Sequence, residues 1–564
     1  MNRNLNALES EEFDVLVIGG GAFGAAAAWD ATLRGLKVAL VEQSDFGSGA
    51  SAECFKMVHG GIRYLQHGDI KRLRSSCAER SALLRIAPHL VNPLSIVIPT
   101  YGHGRKGKAF LGAGMFAYDL LTVGRNSEIP DSSRHIPPTC FLTRAAILDV
   151  FPELDRQALS GGAIFDDGQM YNAAGLVLAF IKSAVAAGAV AANYVEASRF
   201  LWDGKRVRGV RAHDRLDGND FDIRARLVLN AAGPWAEYLL RETDKFGPHI
   251  RGAFSRDACF FVNRKPRSPY ALAVPGKSRD RDAIISRAAR HLFTVPWRDY
   301  TMIGVWHKLF DERPDSAVVE EPEIIAWMSE INQSYPALRL TRDEVIYANC
   351  GLVPFGDGST AQDNLSFGKE SRFIDHRRTH GIEGLVTLIG IRYTTARGHS
   401  AEALDLLLQQ WPTALPRAAT ERTPLAGGDI AEFDDFRSKA MRERPRSISQ
   451  RTLEALLRNH GTEYRNVIEL AGTPGESEML SGSETLVAEV TYAVRENMAV
   501  HLDDVVLRRT NLGSGSHPGV AAIEQAADRM QKLLGWSERR RHEEVVATEL
   551  TLRRHLAGPV SITA

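Results

Sequence analysis

Cysteine is scarce in this 564-residue chain: Cys54, Cys77, Cys140, Cys259 and Cys350 are odd in number, scattered, and never in C-x-x-C spacing. That argues against a disulfide framework or a zinc site, and for a reducing compartment. An excess of charge is also missing, with 69 Lys+Arg against 69 Asp+Glu, so composition gives no sign of a nucleic-acid-binding surface. Long apolar runs are missing too. The apolar stretch at residues 15 to 29 is broken by glycines, and no other segment could span a bilayer as a helix. The first twelve residues are polar and lack the apolar core of a signal peptide. These absences point to a cytoplasmic protein or one held peripherally on the cytoplasmic face of a membrane. The length allows two or more domains around a large core.

The strongest positive signal lies in residues 13 to 65. F-D-V-L-V-I (13–18) is an apolar run of strand length that stops at a glycine cluster, and an alanine-rich helical pattern follows. Gly19, Gly21 and Gly24 fit G-x-G-x-x-G: one for the tight turn, one for close approach of a pyrophosphate, one for packing the helix on the strand. The amides that open the helix can hold phosphate, aided by the positive end of its dipole. A second apolar run, 36–41, ends in Glu42, placed to accept hydrogen bonds from an adenosine ribose. Strand, glycine triplet, helix, strand and acid in that order predict dinucleotide binding, without choosing between NAD and FAD.

A Ser/Gly/Ala-rich loop, 47–52, then leads through Lys56 into H-G-G-I-R-Y-L, residues 59–65. This arrangement resembles the FAD-dependent glycerol-3-phosphate dehydrogenase family, one of the glutathione-reductase-like flavoproteins, in which H-G-G-L-R-Y-L runs past the flavin ring. The likeness continues in N-A-A-G-P-W-A (230–236), in G-I-R-Y-T-T-A-R (390–397) where the family has G-G-K-L-T-T-Y-R, and in Y-A-V-R-E-N-M-A-V-H-L-D-D-V-V-L-R-R-T (492–510). It implies an α/β fold: a Rossmann-type FAD-binding domain (about 13–90, 160–250 and 350–410) with an interleaved mixed-sheet substrate domain (about 91–159 and 251–349). These make up an oxidoreductase region, 1–420, and a C-terminal helical domain, 421–564, follows. FAD contacts are implied for Gly19, Gly21, Gly24, Glu42, Lys56, His59, Gly60, Ala232, Gly233, Gly390, Arg392 and Thr394. Substrate contacts are implied for Arg63, Tyr64, Arg372 and Arg397.

Four departures from the family pattern fall in the expected substrate pocket. A family arginine that holds the substrate phosphate is here Val353, a family histidine is Cys259, a T-T-D turn is Val305-Trp306-His307, and the lysine of G-G-K is Arg392. One lost charged hydrogen bond is worth ~1.5–3 kcal/mol, which weakens phosphate recognition without abolishing it. Oxidation of an alcohol by a flavin needs a base near neutral pKa, and histidine suits it. His59 is the first choice, His307 the second and His399 the third, while Arg63 and Arg392 would stabilise the developing alkoxide and the reduced flavin's charge.

The chain is therefore expected to oxidise glycerol 3-phosphate to dihydroxyacetone phosphate, with electrons leaving to quinone or another acceptor. A same-fold flavoenzyme acting on another hydroxy or amino compound, and a non-catalytic FAD-binding protein, are the alternatives. Residues 105–121, R-K-G-K-A-F-L-G-A-G-M-F-A-Y-D-L-L, put cations ahead of apolar residues. Such a segment fits either a lipid headgroup boundary or an ordinary core helix, and the family's membrane contact falls here. A homodimer is left open.

Overall fold

The computed structural model describes residues 1–102, 108–246, 254–279, 289–355 and 371–555. Glu12–Ile18 runs parallel to Val38–Val41 on one side and to Asp220–Asn230 on the other. Leu385–Ile389 and Val190–Ala192 extend this first sheet in parallel, and Arg372–Asp375 closes it antiparallel. Strands covered on both faces need apolar side chains at every position, and Val38–Val41 is buried throughout. One face carries the helices Ala22–Leu33, Ala173–Ala186 and Ala396–Leu407. The other carries the short helix Leu5–Ser10 and the antiparallel strands Val195–Asp203 and Arg206–Asp214. Alanines at 25 to 28 let the first of these helices lie close on the sheet. Trp29 anchors its far end edge-on to Phe180, with ring centroids 5.6 Å apart; truncating such a tryptophan typically costs ~3–5 kcal/mol.

The second sheet runs in the order Val345–Pro354, Phe254–Val262, Tyr300–Phe310, Ala289–Trp297, Ala271–Arg279, Val91–Tyr101, Leu159–Met170, Met57–Val58. Alternation gives it two unlike faces. Phe260, Ile303 and Trp306 pack under the helix Glu321–Ser334, with Trp306 stacked between Phe260 and Trp327. Phe261, Trp297, Met302 and Tyr347 form the opposite face, where Phe261, Trp297 and Tyr347 border a large cleft. The C-terminal region is helical from Phe433–Arg442 through Glu538–His555.

One expectation needs correction. Residues 159–170, placed at the start of an FAD-binding segment, form a strand of the second sheet, paired along its length with Val91–Tyr101. Within 492–510 the helix is interrupted. Val487–Glu496 ends at Asn497, Met498 takes φ 52°, and a π-helical turn, Asp504–Arg509, follows. The break is stabilised by Asp504, whose carboxylate accepts the amide hydrogens of Val500 and His501 at 2.8 and 2.9 Å. The polar N-terminus contains the helix Leu5–Ser10, with Leu8 fully buried. The segment 105–121 lies partly outside the described residues; its described part is the helix Lys108–Leu121.

Candidate active site

The glycine turn is built by contacts that exclude side chains. Gly19 has φ 106°, and a Cβ there would meet the Ala231 carbonyl oxygen at 2.7 Å; one on Gly24 would meet the Gly19 oxygen at 1.8 Å. Gly21 differs: a Cβ there would find only the Ser51 hydroxyl, at 3.2 Å, and would otherwise point into cavity space. Glu42 at the end of Val38–Val41 accepts the amide hydrogens of Gly20 (2.6 Å) and Ser44 (2.9 Å). Burial pushes its carboxyl pKa up against those two bonds.

From this turn runs a cavity of about 1160 Å³, above the ~300–1,000 Å³ usual for small ligands. Its walls include Gly19, Gly21, Glu42, Lys56, Ala232, Gly233 and Gly390. Asn230, fully buried, donates to the Ala236 carbonyl at 2.9 Å and so fixes the small-residue turn at 231–235. Lys56 holds φ 56° and donates to the Ala52 carbonyl. A long groove from a glycine-opened helix, past a strand-end acid, to a sheet of aromatics fits an extended dinucleotide. The residues therefore fit FAD.

His59 and Gly60 are held beside Thr394: the His59 amide donates to the Thr394 hydroxyl at 3.0 Å. Asp167, a residue the sequence reading missed, organises this loop. Its Oδ1 accepts the Gly60 amide (2.6 Å) and Arg80 Nη1 (2.7 Å), and its Oδ2 lies 3.4 Å from His59 Nδ1. Burial alone would raise the Asp167 pKa, but the bond to His59, the Arg80 charge and the Gly60 amide outweigh it and hold the carboxyl below its ordinary value. Arg80, with no exposed surface, also donates to the Tyr118 hydroxyl at 3.1 Å. Gly60 must be glycine, because a Cβ would meet Arg80 Nη1 at 2.2 Å. A paired carboxylate in an otherwise apolar strand, F-D-D at 165–167, was the available signal: a buried acid needs a partner.

The other expected residues divide. Arg392 lies over the Tyr64 ring, 4.7 Å from Cζ to centroid, and donates to Ser76 at 2.9 Å. His291, also missed, is held neutral: burial, then the charge of Arg63, pull its pKa down to about 4. Arg392 thus meets the His59–Tyr64 segment at Tyr64, while Arg63 lies close enough to His291 for its charge to act there. Arg372 donates to the Phe355 carbonyl at 2.6 Å. Arg397 is committed elsewhere, forming a bidentate pair with buried Glu79 (2.5 and 2.9 Å) and a bond to Thr420, so its guanidinium ties helices together rather than facing a substrate. His307 Nδ1 is bonded to Asp257 at 2.7 Å, and its side chain is 16% exposed against 48% for His59. His399 is bonded to Ser371 at 2.6 Å. Cys259 is fully buried against Gly304, its thiol pKa raised by burial. Val353 stands on the cavity wall.

The family described as FAD dependent oxidoreductase matches residues 14–399, and the C-terminal domain of alpha-glycerophosphate oxidase matches 418–541. The chain is 28% identical over 552 residues to the glycerol-3-phosphate dehydrogenase of Synechocystis, covering 95% of each. It is 30% identical over 535 residues to that of Mycobacterium leprae, covering 94% of this chain and 86% of the other. Its fold matches the glycerol-3-phosphate dehydrogenase of Bacillus halodurans complexed with FAD at TM-score 0.75 and 24% identity, over 99% and 98% of the two chains. Glycine turn, strand-end acid, cofactor-length cavity and helical C-terminal region thus lead to one conclusion: the chain belongs to the FAD-dependent oxidoreductase family, with a C-terminal domain of the alpha-glycerophosphate oxidase type.

Proposed function

We propose that the protein oxidises glycerol 3-phosphate to dihydroxyacetone phosphate. The observation that carries this reading is Arg392 seated over the ring of Tyr64, the residue next to Arg63, at the end of the loop that presents His59. Near-full-length similarity to glycerol-3-phosphate dehydrogenases supports the choice of substrate. FAD, when bound, supplies the hydride acceptor. The chain's own residues do the rest. Arg63 and Arg392 hold the phosphate, and planar guanidinium forks suit its oxygens. His59 takes the hydroxyl proton on Nε2 while Asp167 faces Nδ1, which fixes the tautomer and stabilises the imidazolium. Arg392, whose charge burial already disfavours, gains from the developing alkoxide.

Electrons then pass to a second acceptor. Among the described residues no helix is long and apolar enough to cross a membrane. The helix Lys108–Leu121 nevertheless exposes Phe116 (71%) and Leu120 (64%). That outward pair supports a peripheral membrane contact and a quinone acceptor.

Anaerobic addition of glycerol 3-phosphate to the purified yellow protein is expected to bleach its flavin absorbance. Val353→Arg should then lower the KM by up to the roughly 1.5–3 kcal/mol of one charged hydrogen bond. A flavin that glycerol 3-phosphate never reduces would sink the reading. Bleaching by another hydroxy or amino compound instead would favour the rival that Val353 on the cavity wall motivates, a same-fold enzyme with a reshaped pocket.

A further inference from the structure

The C-terminal helical domain walls part of the cofactor cavity. Asp503 and Arg508 border it near the strand-end acid, and Thr551, Arg554 and His555 border it farther along. Between this domain and the glycine turn lies the 42–54 loop, which is bonded on both sides. Toward the cofactor, the Gly47 amide donates to the Gly20 carbonyl at 3.0 Å and the Ala22 amide donates to the Ser51 hydroxyl at 3.0 Å. Toward the helical domain, fully buried Asp45 accepts both terminal nitrogens of Arg509 at 2.7 Å and Arg508 Nε at 2.5 Å. Both arginines belong to the π-helical turn. At the loop's far end His555 stacks on Tyr347, with centroids 5.0 Å apart and planes at 7°, and its Nδ1 lies 3.5 Å from the Glu53 carboxylate.

We propose that the C-terminal helical domain is a cofactor clamp. Arg508 and Arg509 on Asp45, with His555 on Glu53 and Tyr347, hold the 42–54 loop against the glycine turn and so limit the release of FAD. A buried ion pair by itself is weak evidence for stability, since desolvation offsets its attraction. What singles this one out is its place. A chain of direct hydrogen bonds runs from the helical domain through Asp45 and its loop to Gly20 and Ala22, where a pyrophosphate would lie. For FAD to leave, that loop must lift, and lifting it breaks charge-assisted bonds in a dry site, where they are strongest.

The test is the rate at which full-length holoprotein releases FAD on dilution, read from free-flavin fluorescence, with the apoprotein Tm measured alongside. Asp45→Asn, which keeps the shape and removes the charge, is expected to speed release about tenfold. His555→Ala should speed it a few-fold. The control is Arg529→Gln, which breaks a partly buried pair with Glu476 inside the helical domain and away from the loop; it should lower Tm and leave release unchanged. Release at the wild-type rate in both loop-contact variants overturns the clamp. So does an Arg529→Gln variant that releases FAD as fast as Asp45→Asn, because the effect would then be general loosening. Should Asp45→Asn fail to fold, the less buried His555→Ala decides alone.

Discussion

Asp167 does three jobs through two oxygens, and its isosteric replacement separates them. In Asp167→Asn the carbonyl oxygen still accepts from Gly60 and Arg80, the two bonds now made by Oδ1. The new amide would face His59 Nδ1, now 3.4 Å from Oδ2, and donate to it. The imidazole then carries its proton on Nε2 and has no lone pair there for the substrate. We expect flavin reduction to slow by ~10²-fold or more, within the range of general-base catalysis, with substrate KM and FAD content nearly unchanged. His59→Gln should do similar damage, and the double variant little more, as residues acting as one unit are not additive. Stopped-flow reduction of the three variants checks this. Independent, multiplying effects would mean that Asp167 serves the loop's backbone alone.

The helix Lys108–Leu121 shows why a segment can fit two readings at once. Met115 and Tyr118 are buried at 2% exposure, while Phe116 and Leu120, one turn apart, point to solvent. The inner face belongs to the core around Leu73 and Cys77 and places the Tyr118 hydroxyl on Arg80; the outer face is the membrane candidate. The cations at 105 and 106 lie outside the described residues. Replacing Phe116 and Leu120 by serine is therefore expected to leave the fold and the flavin spectrum intact. It should cut flotation with anionic liposomes, since each large apolar side chain contributes roughly 1.5–3 kcal/mol when buried. An unmodified protein that stays at the bottom of the gradient at low salt would remove the membrane from the account and favour oxygen or a soluble carrier as acceptor.

Across the whole molecule, buried neutral histidines contribute to the response to acid. His376 is enclosed by Phe246, His380 and Thr387, and burial, then the charge of His380, bring its pKa down to about 3. His89 is likewise brought to about 3 and His291 to about 4, by burial first and neighbouring cations second. A base whose folded pKa is depressed contributes stability that is full above its unfolded value of 6.5. That stability is lost as the pH falls towards the folded value, because the unfolded chain binds the proton more readily. We expect unfolding free energy to decline below pH 6.5 by at most about 1.4 kcal/mol per pH unit for each such histidine. His376→Gln should flatten the decline. Denaturant unfolding at pH 7 and pH 5 tests it, and equal losses in variant and parent would rule out His376 as a contributor.

The cofactor turn was legible because its chemistry is local. Gly19, Gly21, Gly24 and Glu42 lie within one strand–helix–strand unit, so their spacing carries the geometry directly. The helices and strands of the first sheet were legible for the same reason, since burial on both faces leaves unbroken apolar runs. Partnership across long separations was not. Arg397 matches a substrate-site motif, yet Glu79, 318 positions away in sequence, takes two of its three nitrogens. Asp167 reaches Gly60 from 107 positions away, and Asp45 meets Arg509 from 464. No pattern of spacing encodes such pairs. They form because packing two sheets and a helical domain around one cavity removes water from charged groups, and each then needs whichever partner the fold brings within reach.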